Sequence, residues 1–420
     1  MEKRFATRER EIEQDSKIDK KDLSGAAQRL DRFLAPFFDD LPRSETRKNA
    51  ATFVQGLLSD LQRKNVESIA YRFGQERYNV QRFIGAAQWD HQVILNRIAE
   101  NAAQLFGEDD GILVFDPSAF KKDGKQSAGV ARQWLGRFGK VDNGQVGTFM
   151  AYVTRKEHVL VNAKLFIPQE WNDCPARCER AHIPEEEYRE HKTRHQHCLE
   201  MLDEQGELLP HQWIAGDDEL GKSSSFRRVL RERGENDVLA VPCHTTVCDW
   251  KKTLKYKGNE ALLPSDLFDR VDEWKDCVKE DEWSVIDVRD GEKRPLVMRL
   301  VKYRVMAHTE SKSGGGEAEL LIIVDRPDGN GVKYDYYLSN AWDVSLEELA
   351  RVILGSHRVE DCFRRAKGEC GLADYEVRTW SGWHHHVTLS LLAALFLTKE
   401  TLRAKKKSVV DGANVWTCVE

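Results

Sequence analysis

From Ala26 to Phe106 apolar residues recur every three or four positions, and from Gly111 that period gives way to short continuous apolar runs. The first stretch therefore predicts helices. Ala50, Phe53, Leu57 and Leu61 share one face behind Ser44, a residue type that caps helix N-termini. Val66–Phe73 reads as a short amphipathic helix, Gly74 breaks it, and Tyr78–Ile84 starts another. Helix, glycine turn, helix is the outline of a helix-turn-helix, whose second helix would present Arg77, Asn79, Gln81 and Arg82 to a DNA groove. Plain helical packing is the competing reading. Trp89, Val93, Ile98, Ala102 and Leu105 predict a longer helix after it.

Beyond Gly111 the run Ile112–Phe115 reads as a buried central strand ending at Asp116-Pro117. Gly147–Val153 and His158–Phe166 are β-like and flank a hairpin at Thr154–Glu157. Pro184–Leu202 reads as helix. Gln212–Gly216 is a second short buried strand, followed by Asp217-Asp218-Glu219. Ser225–Arg233 is helical up to Gly234, and Val238–Val241 is a strand closed by Pro242. A polar stretch with Trp250, Trp274 and Trp283 precedes strands at Leu296–His308, Ala318–Asp325 and Lys333–Ser339. Turn chemistry joins those strands at Gly314-Gly315-Gly316 and at Pro327–Gly331, so the region reads as a β-rich insertion. Helices return at Ser345–Leu354 and His357–Glu369, and Trp380–Leu397 is a strongly apolar final helix. The expected segments are a charged mobile arm (1–24), a helical DNA-binding domain (25–106), a first part of an α/β core (107–242), the insertion (243–343), returning core helices (344–402) and a basic tail (403–420).

Composition narrows the class. A chain of 420 residues has room for two or three domains, and 40% hydrophobic with 32% charged residues excludes bulk disorder. No apolar run is long enough to span a bilayer, and none follows Met1-Glu2-Lys3-Arg4, so neither membrane partner nor signal peptide is expected and the protein is expected in the cytoplasm. Nine cysteines, an odd number, predict reduced thiols. The net charge of −6 opposes a simple nucleic-acid coat, but the basic residues cluster. One cluster is Lys121, Lys122, Lys125, Arg132, Arg137 and Lys140. The others are Lys222, Arg227, Arg228, Arg231 and Arg233, and Arg403, Lys405, Lys406 and Lys407.

Asp116 and Asp217 each follow a buried strand, and Glu360 lies on a later helix. On that helix Glu360, Arg364 and Lys367 fall on one face and Val359, Phe363 and Ala366 on another, a carboxylate with two cations over an apolar footing. Carboxylates at strand ends beside a helical one are how an RNase H-like fold gathers two Mg²⁺ ions, with Mn²⁺ as substitute. Such a pair holds the attacking and leaving oxygens of a phosphoryl displacement. Capping of turns or helices by Asp116 and Asp217 is the alternative, and Asp218 competes with Asp217. Lys121 and Lys122 lie either near the scissile phosphate or in a solvated turn. Trp250, Trp274 and Trp283 either stack on an extruded base or pack the insertion. Cys174-x3-Cys178 with His182, His191, His195, His197 and Cys198 is a candidate Zn²⁺ set, although its spacing fits no common finger. His384-His385-His386 point three ways on a helix, so contact with DNA or solvent is expected rather than a shared metal.

Several stretches resemble the DDE transposases of bacterial insertion sequences, the cut-and-paste branch with a β-rich insertion between the second Asp and the Glu. Ser127–Gln133 with Asn143–Gly147 resembles the block after the first Asp, and Trp213–Gly221 the second-Asp block. Arg358–Phe363, Lys367–Leu372 and Tyr375–Trp383 resemble the Glu block, and Leu57–Asn65 with Trp89-Asp90 the N-terminal domain. The resemblance implies an RNase H-like mixed-sheet catalytic core with an all-helical N-terminal domain. It implies a metal triad of Asp116, Asp217 and Glu360, with Lys367 as a phosphate contact and Arg364 in support. In the branch's Tyr-Arg-Glu-Lys signature the tyrosine position is Ile353 here and the arginine position Ser356, with Arg358 a candidate replacement. The implied activity is hydrolysis of a DNA strand at the element's ends followed by attack of the freed 3′-OH, on double-stranded DNA, by a homodimer pairing two ends. Two rivals are a catalytically silent descendant that binds DNA as a regulator, and a two-carboxylate hydrolase acting on sugars. The second leaves the basic clusters and helical domain without a role.

Overall fold

The computed structural model describes residues 25–253, 267–289, 296–309, 316–328 and 331–410. The expected arm (1–24), the last part of the expected tail (411–420) and the turn residues Gly314, Gly315, Gly329 and Asn330 lie outside the described residues. The chain divides into two compact units, residues 102–363 on one hand and the segments either side of them on the other.

The helical period of the N-terminal stretch is realised as α1 (Ala26–Phe38), α2 (Ser44–Leu57), α3 (Val66–Arg72), α4 (Arg77–Gly85) and α5 (His91–Phe106). Ser44 is the first residue of α2 and makes no cap; Arg43 occupies the cap position. Asn65 does cap α3, its side chain accepting from the Ser68 N–H. Gly74 turns the chain with φ of 60° between α3 and α4, a conformation glycine adopts without steric cost. The final helix runs Trp380–Val410, thirteen residues beyond its expected end, and belongs to this helical unit rather than to the α/β unit. Phe396 meets Phe33 at 5.4 Å between ring centres, and His385 stacks on Trp89 at 3.8 Å.

The second unit is built on one sheet. Its strands are β1 (Ile112–Lys121), β2 (Ala131–Leu135), β3 (Lys140–Val153), β4 (His158–Leu165), β5 (Trp213–Gly216), β6 (Asn236–Val241), β7 (Thr246–Asp249), β8 (Asp269–Arg270), β9 (Ser284–Arg289), β10 (Leu296–His308), β11 (Gly316–Asp328) and β12 (Gly331–Ser339). At its centre β4, β3 and β1 are antiparallel neighbours, and β1, β5 and β6 run parallel. This is an RNase H-like mixed sheet. The continuous apolar runs account for it: Ile112–Phe115 and Trp213–Ala215 are buried, as central parallel strands covered on both faces must be. One expectation changes. β1 does not stop at Asp116-Pro117 but continues to Lys121 along β3. Its parallel partner ends at Gly216, opposite Phe115, so a proline beyond that point interrupts no ladder on that side. The β-rich insertion joins the core sheet at its edge. β12 pairs with β6 (Tyr336 opposite Val241), and β11, β10 and β7 follow outward in one continuous sheet.

Helix α6 (Arg194–Gln205) is shorter than the expected Pro184–Leu202 helix. Thr193 and Gln196 form a capping box that starts it, a signal present in the sequence. Helix α7 (Ser224–Glu232) ends before Gly234, φ 78°. Helix α8 (Leu346–Ser356) is capped by Ser345 and lays Leu349, Ala350, Val352 and Ile353 into the core. Glu348 accepts from Trp213 Nε1 at 2.8 Å, and Arg351 donates to the Asp110 carbonyl at 2.9 Å, fixing α8 over the central strands. His357 separates it from α9 (Arg358–Glu369).

Candidate active site

The register of β1 and β5 brings two carboxylates together. Phe115 lies opposite Gly216 on adjacent parallel strands, so Asp116 and Asp217 follow side by side at the carboxyl end of the pair. Open α/β sheets bind ligands outside the carboxyl ends of their strands. Asp217 is also the N-cap of the short helix Asp218–Gly221, accepting from the Leu220 N–H at 3.2 Å. It therefore caps a helix, one of the two sequence readings, while standing at the strand end where the other reading places it. Burial pushes its carboxyl up to about 6, opposed by the Leu220 hydrogen bond. Among the described residues Asp217 makes no ion pair. Glu360 arrives from the first turn of α9, exposed, while Val359, Phe363 and Ala366 on the inner face are buried. Phe363 meets Phe149 edge-on at 5.1 Å, which seats the helix.

Asp116, Asp217, Asp218 and Glu360 line one cavity of about 430 Å³. Ser356 and His357 close it from the α8–α9 junction, and Arg326, Lys333, Asp335 and Tyr337 from β11 and β12. Burial lowers the His357 imidazole below its ordinary value, as does the nearby Arg326, against the opposing charges of Glu360 and Asp335. The donor set of the acidic wall is all carboxylate oxygen, with one member desolvated and unpaired by any cation among the described residues. That chemistry fits a hard divalent cation, which takes one or two carboxylates per ion and completes its shell with water and substrate phosphate. Among the described residues, no three His, Cys, Asp or Glu side chains already converge on one point as a metal cage would.

The expected basic contacts are placed as follows. Arg364 and Lys367 follow Glu360 on α9, with Arg364 exposed. Arg358 donates to the Thr154 carbonyl at 3.1 Å and does not line the cavity. Lys121 pairs with Asp142 at 3.5 Å. The backbone of Lys122 bonds to Asn143 through its N–H and its carbonyl. Arg132 is exposed on β2 beside Trp134, which is 61% exposed. Arg77 and Arg82 are exposed on α4, Arg77 paired with Glu67 at 2.8 Å. Arg326, Lys333, Asp335 and His357 were missed in the sequence. The period-2 pattern of β12 put Lys333, Asp335 and Tyr337 on one face, but nothing local told which element that face would meet.

Other expectations fall away. Arg227, Arg231 and Arg233 are paired within the fold, with Glu319, with Glu317 and Glu319, and with Asp203, while Lys222 and Arg228 of that cluster stay exposed. The cysteines and histidines of the candidate Zn²⁺ set form no convergent group among the described residues, and three of them have other partners: Cys178 bonds the Trp171 carbonyl, His191 contacts Asn172, and His195 the Glu219 carbonyl. His384, His385 and His386 are buried, not facing DNA or solvent. His385 bridges the carbonyls of Ile84 and Trp89, and His386 reaches that of Gly371. Trp274 and Trp283 pack against the insertion's apolar cluster, and Trp250 against Cys248 and Met306.

With the site described, similarity to known proteins can be placed on it. Residues 36–295, more than half of the chain, match the family described as DDE superfamily endonuclease. The chain belongs to the DDE endonuclease superfamily. The match takes in Asp116 and Asp217 and ends before Glu360, so the third acid of this DDE endonuclease-family chain rests on the geometry of the shared cavity. A probable transposase for insertion sequence element IS701 from Microchaete diplosiphon is 33% identical over 92 residues, 22% of this chain. The aligned part spans about a quarter (24%) of that protein's length. Among the described residues no helix is long and apolar enough to cross a membrane.

Proposed function

We propose that this chain is an insertion-sequence transposase that binds the terminal inverted repeats of its element, cleaves the DNA there and transfers the freed 3′ ends to target DNA. The observation that carries the reading is the meeting of Asp116, Asp217 and Glu360 in one cavity at the carboxyl ends of β1 and β5. These three residues would hold Mg²⁺, or Mn²⁺ in its place, which activates water and neutralises phosphate charge when bound. In the first step water attacks the phosphorus, the P–O3′ bond breaks, and the leaving 3′ oxygen takes up a proton. In the second the 3′-OH attacks a target phosphodiester, forming a new P–O bond as the target's own P–O3′ bond breaks. Lys367 and Arg364 on α9 are proposed phosphate contacts, with Arg358, Lys121, Lys122 and Arg132 as further ones. The exposed face of α4, with Arg77 and Arg82, suits a groove of the duplex. Two copies pairing two ends would work at the nucleoid in a bacterial cytoplasm.

A catalytically silent, DNA-binding descendant is the second reading. It is favoured by the α8–α9 junction, where Ser356 turns its hydroxyl to the Ile353 carbonyl at 2.7 Å and offers no cation. The experiment compares wild type with Asp116→Ala and Glu360→Gln on DNA carrying the element's own ends, with Mg²⁺ or Mn²⁺. Cleavage by wild type and a loss of about 10²- to 10³-fold or more in each variant is expected. Cleavage that survives both substitutions would sink the triad; end binding without cleavage by wild type would favour the silent descendant.

A further inference from the structure

The two walls of the cavity have opposite charge. Asp116, Asp217, Asp218 and Glu360 stand on the side of β1, β5 and α9, and Arg326 and Lys333 are the only Lys or Arg among the described lining residues. Both cations come from the β11–β12 hairpin, where they lie directly opposite each other across the strands. Like charges in facing positions destabilise a sheet. Asp335 relieves part of this, pairing with Arg326 Nε at 2.9 Å, but Lys333 has no partner among the described residues. The closest approach of that pair is through Nε, and the Arg326 side chain is 49% exposed. A partly exposed ion pair is worth little as a brace. Its geometric effect is larger, because it fixes a planar fork of donors, the shape that recognises phosphate. Two cations held in unfavourable proximity, one of them pre-oriented, call for an anion between them. The strand ladder from β12 through β6 to β5 sets that anion's distance from the aspartates.

We propose that the β11–β12 hairpin forms a phosphate subsite in this cavity, in which Arg326, oriented by Asp335, binds a phosphodiester oxygen and Lys333 adds a second positive charge. The assignment rests on the reading of the cavity as a DNA-cleaving site. It makes the insertion a supplier of substrate contacts, with Arg326 and Lys333 as binding residues and Asp335 as a positioning residue.

The test uses the full chain and the dinucleotide pTpT as probe, measured by calorimetry with Ca²⁺ present, alongside single-turnover cleavage of end-bearing DNA. Arg326→Ala is expected to weaken pTpT about ten- to a hundredfold. Arg326→Lys should recover only part of the loss, since an ammonium lacks the planar fork. Lys333→Ala should weaken the probe less and lower the salt dependence of binding by about one counterion. Asp335→Asn is expected to reduce affinity in the wild-type background but to add nothing to the Arg326→Ala loss in the double variant, which marks it as acting through Arg326. Lys252→Ala, an exposed cation outside the cavity, should change nothing. Arg326→Gln serves if Arg326→Ala fails to fold. Equal pTpT binding by wild type and the Arg326 variants overturns the subsite whatever happens to cleavage. An Arg326-dependent pTpT site in a wild-type chain that does not cleave DNA keeps the subsite and removes the transposase reading.

Discussion

Asp217 serves the fold and the site in opposite ways. As an N-cap it needs only a hydrogen-bond acceptor, and asparagine would serve equally well. In the proposed metal site it would have to be ionised, in a place where burial raises its carboxyl to about 6 from the usual 3.8. A value raised by folding means that the stability tied to this group is full below about 4 and lost as pH rises through 6. At neutral pH the ionised side chain therefore works against the fold by about 1–3 kcal/mol. Asp217→Asn should melt higher than wild type in EDTA at pH 7.5, with the gain vanishing near pH 4, and should abolish cleavage. A melting temperature at or below that of wild type would show that burial does not strain this carboxylate. Its position after a short apolar run and before a helix made Asp217 visible in the sequence, and the same pattern made its capping role visible. Arg326 and Asp335 were invisible for a physical reason: their place in the cavity depends on β12 pairing with β6, a contact between segments nearly a hundred residues apart.

The turn that carries Asp217 is held by its far end. Gly221 sits so close to β6 that a Cβ there would lie 1.8 Å from the Ala240 carbonyl oxygen, a backbone atom that cannot swing aside. Arg227 also donates to the Gly221 carbonyl. Gly221→Ala must push the helical turn off the sheet and carry Asp217 with it. A destabilisation of about 1–3 kcal/mol is expected from overpacking, together with a loss of cleavage larger than that instability explains. Gly368→Ala on α9 is the comparison, because nothing lies within 4 Å of a Cβ there. It should be neutral or stabilise by up to about 1 kcal/mol. Chemical denaturation of both variants, with cleavage measured on the folded fraction, separates the two cases. Equal effects at both glycines would refute the close-approach argument. Elements of this size were largely readable from periodicity, as β1, β5, α8 and α9 show. The failures came where tertiary context overrode a local rule. Pro117 was read as a strand end but sits within β1, where no parallel partner needs its missing N–H, and the three histidines looked solvent-bound but supply donors to buried carbonyls.

Across the whole α/β unit, one seam joins core and insertion. Asp237 on β6 and Asn340 after β12 exchange backbone and side-chain hydrogen bonds at 3.0 Å, and Ser339 donates to the Asp237 carbonyl. Burial, reinforced by the nearby Glu319, raises the Asp237 carboxyl to about 7, against the Asn340 N–H. The stability attached to it is complete below about 4 and lost as pH rises through 7. Wild type should therefore lose ground to Asp237→Asn between pH 5 and 8 in a series of thermal melts, and parallel melting curves over that range would contradict the assignment. That the insertion would be β-rich was legible; that it would dock edge-on was not, since strand periodicity gives a face and not a neighbour. The docking has a consequence for any attempt to trim the protein to a minimal nuclease. Excising residues 243–340 would uncover the outer side of β6, a row of unpaired amides and carbonyls with an apolar flank, ready to recruit the same strand of another molecule. The shortened chain is expected to elute as large assemblies and to bind amyloid dyes rather than to run as a compact monomer. The insertion is in this sense the stopper that keeps the catalytic sheet from polymerising.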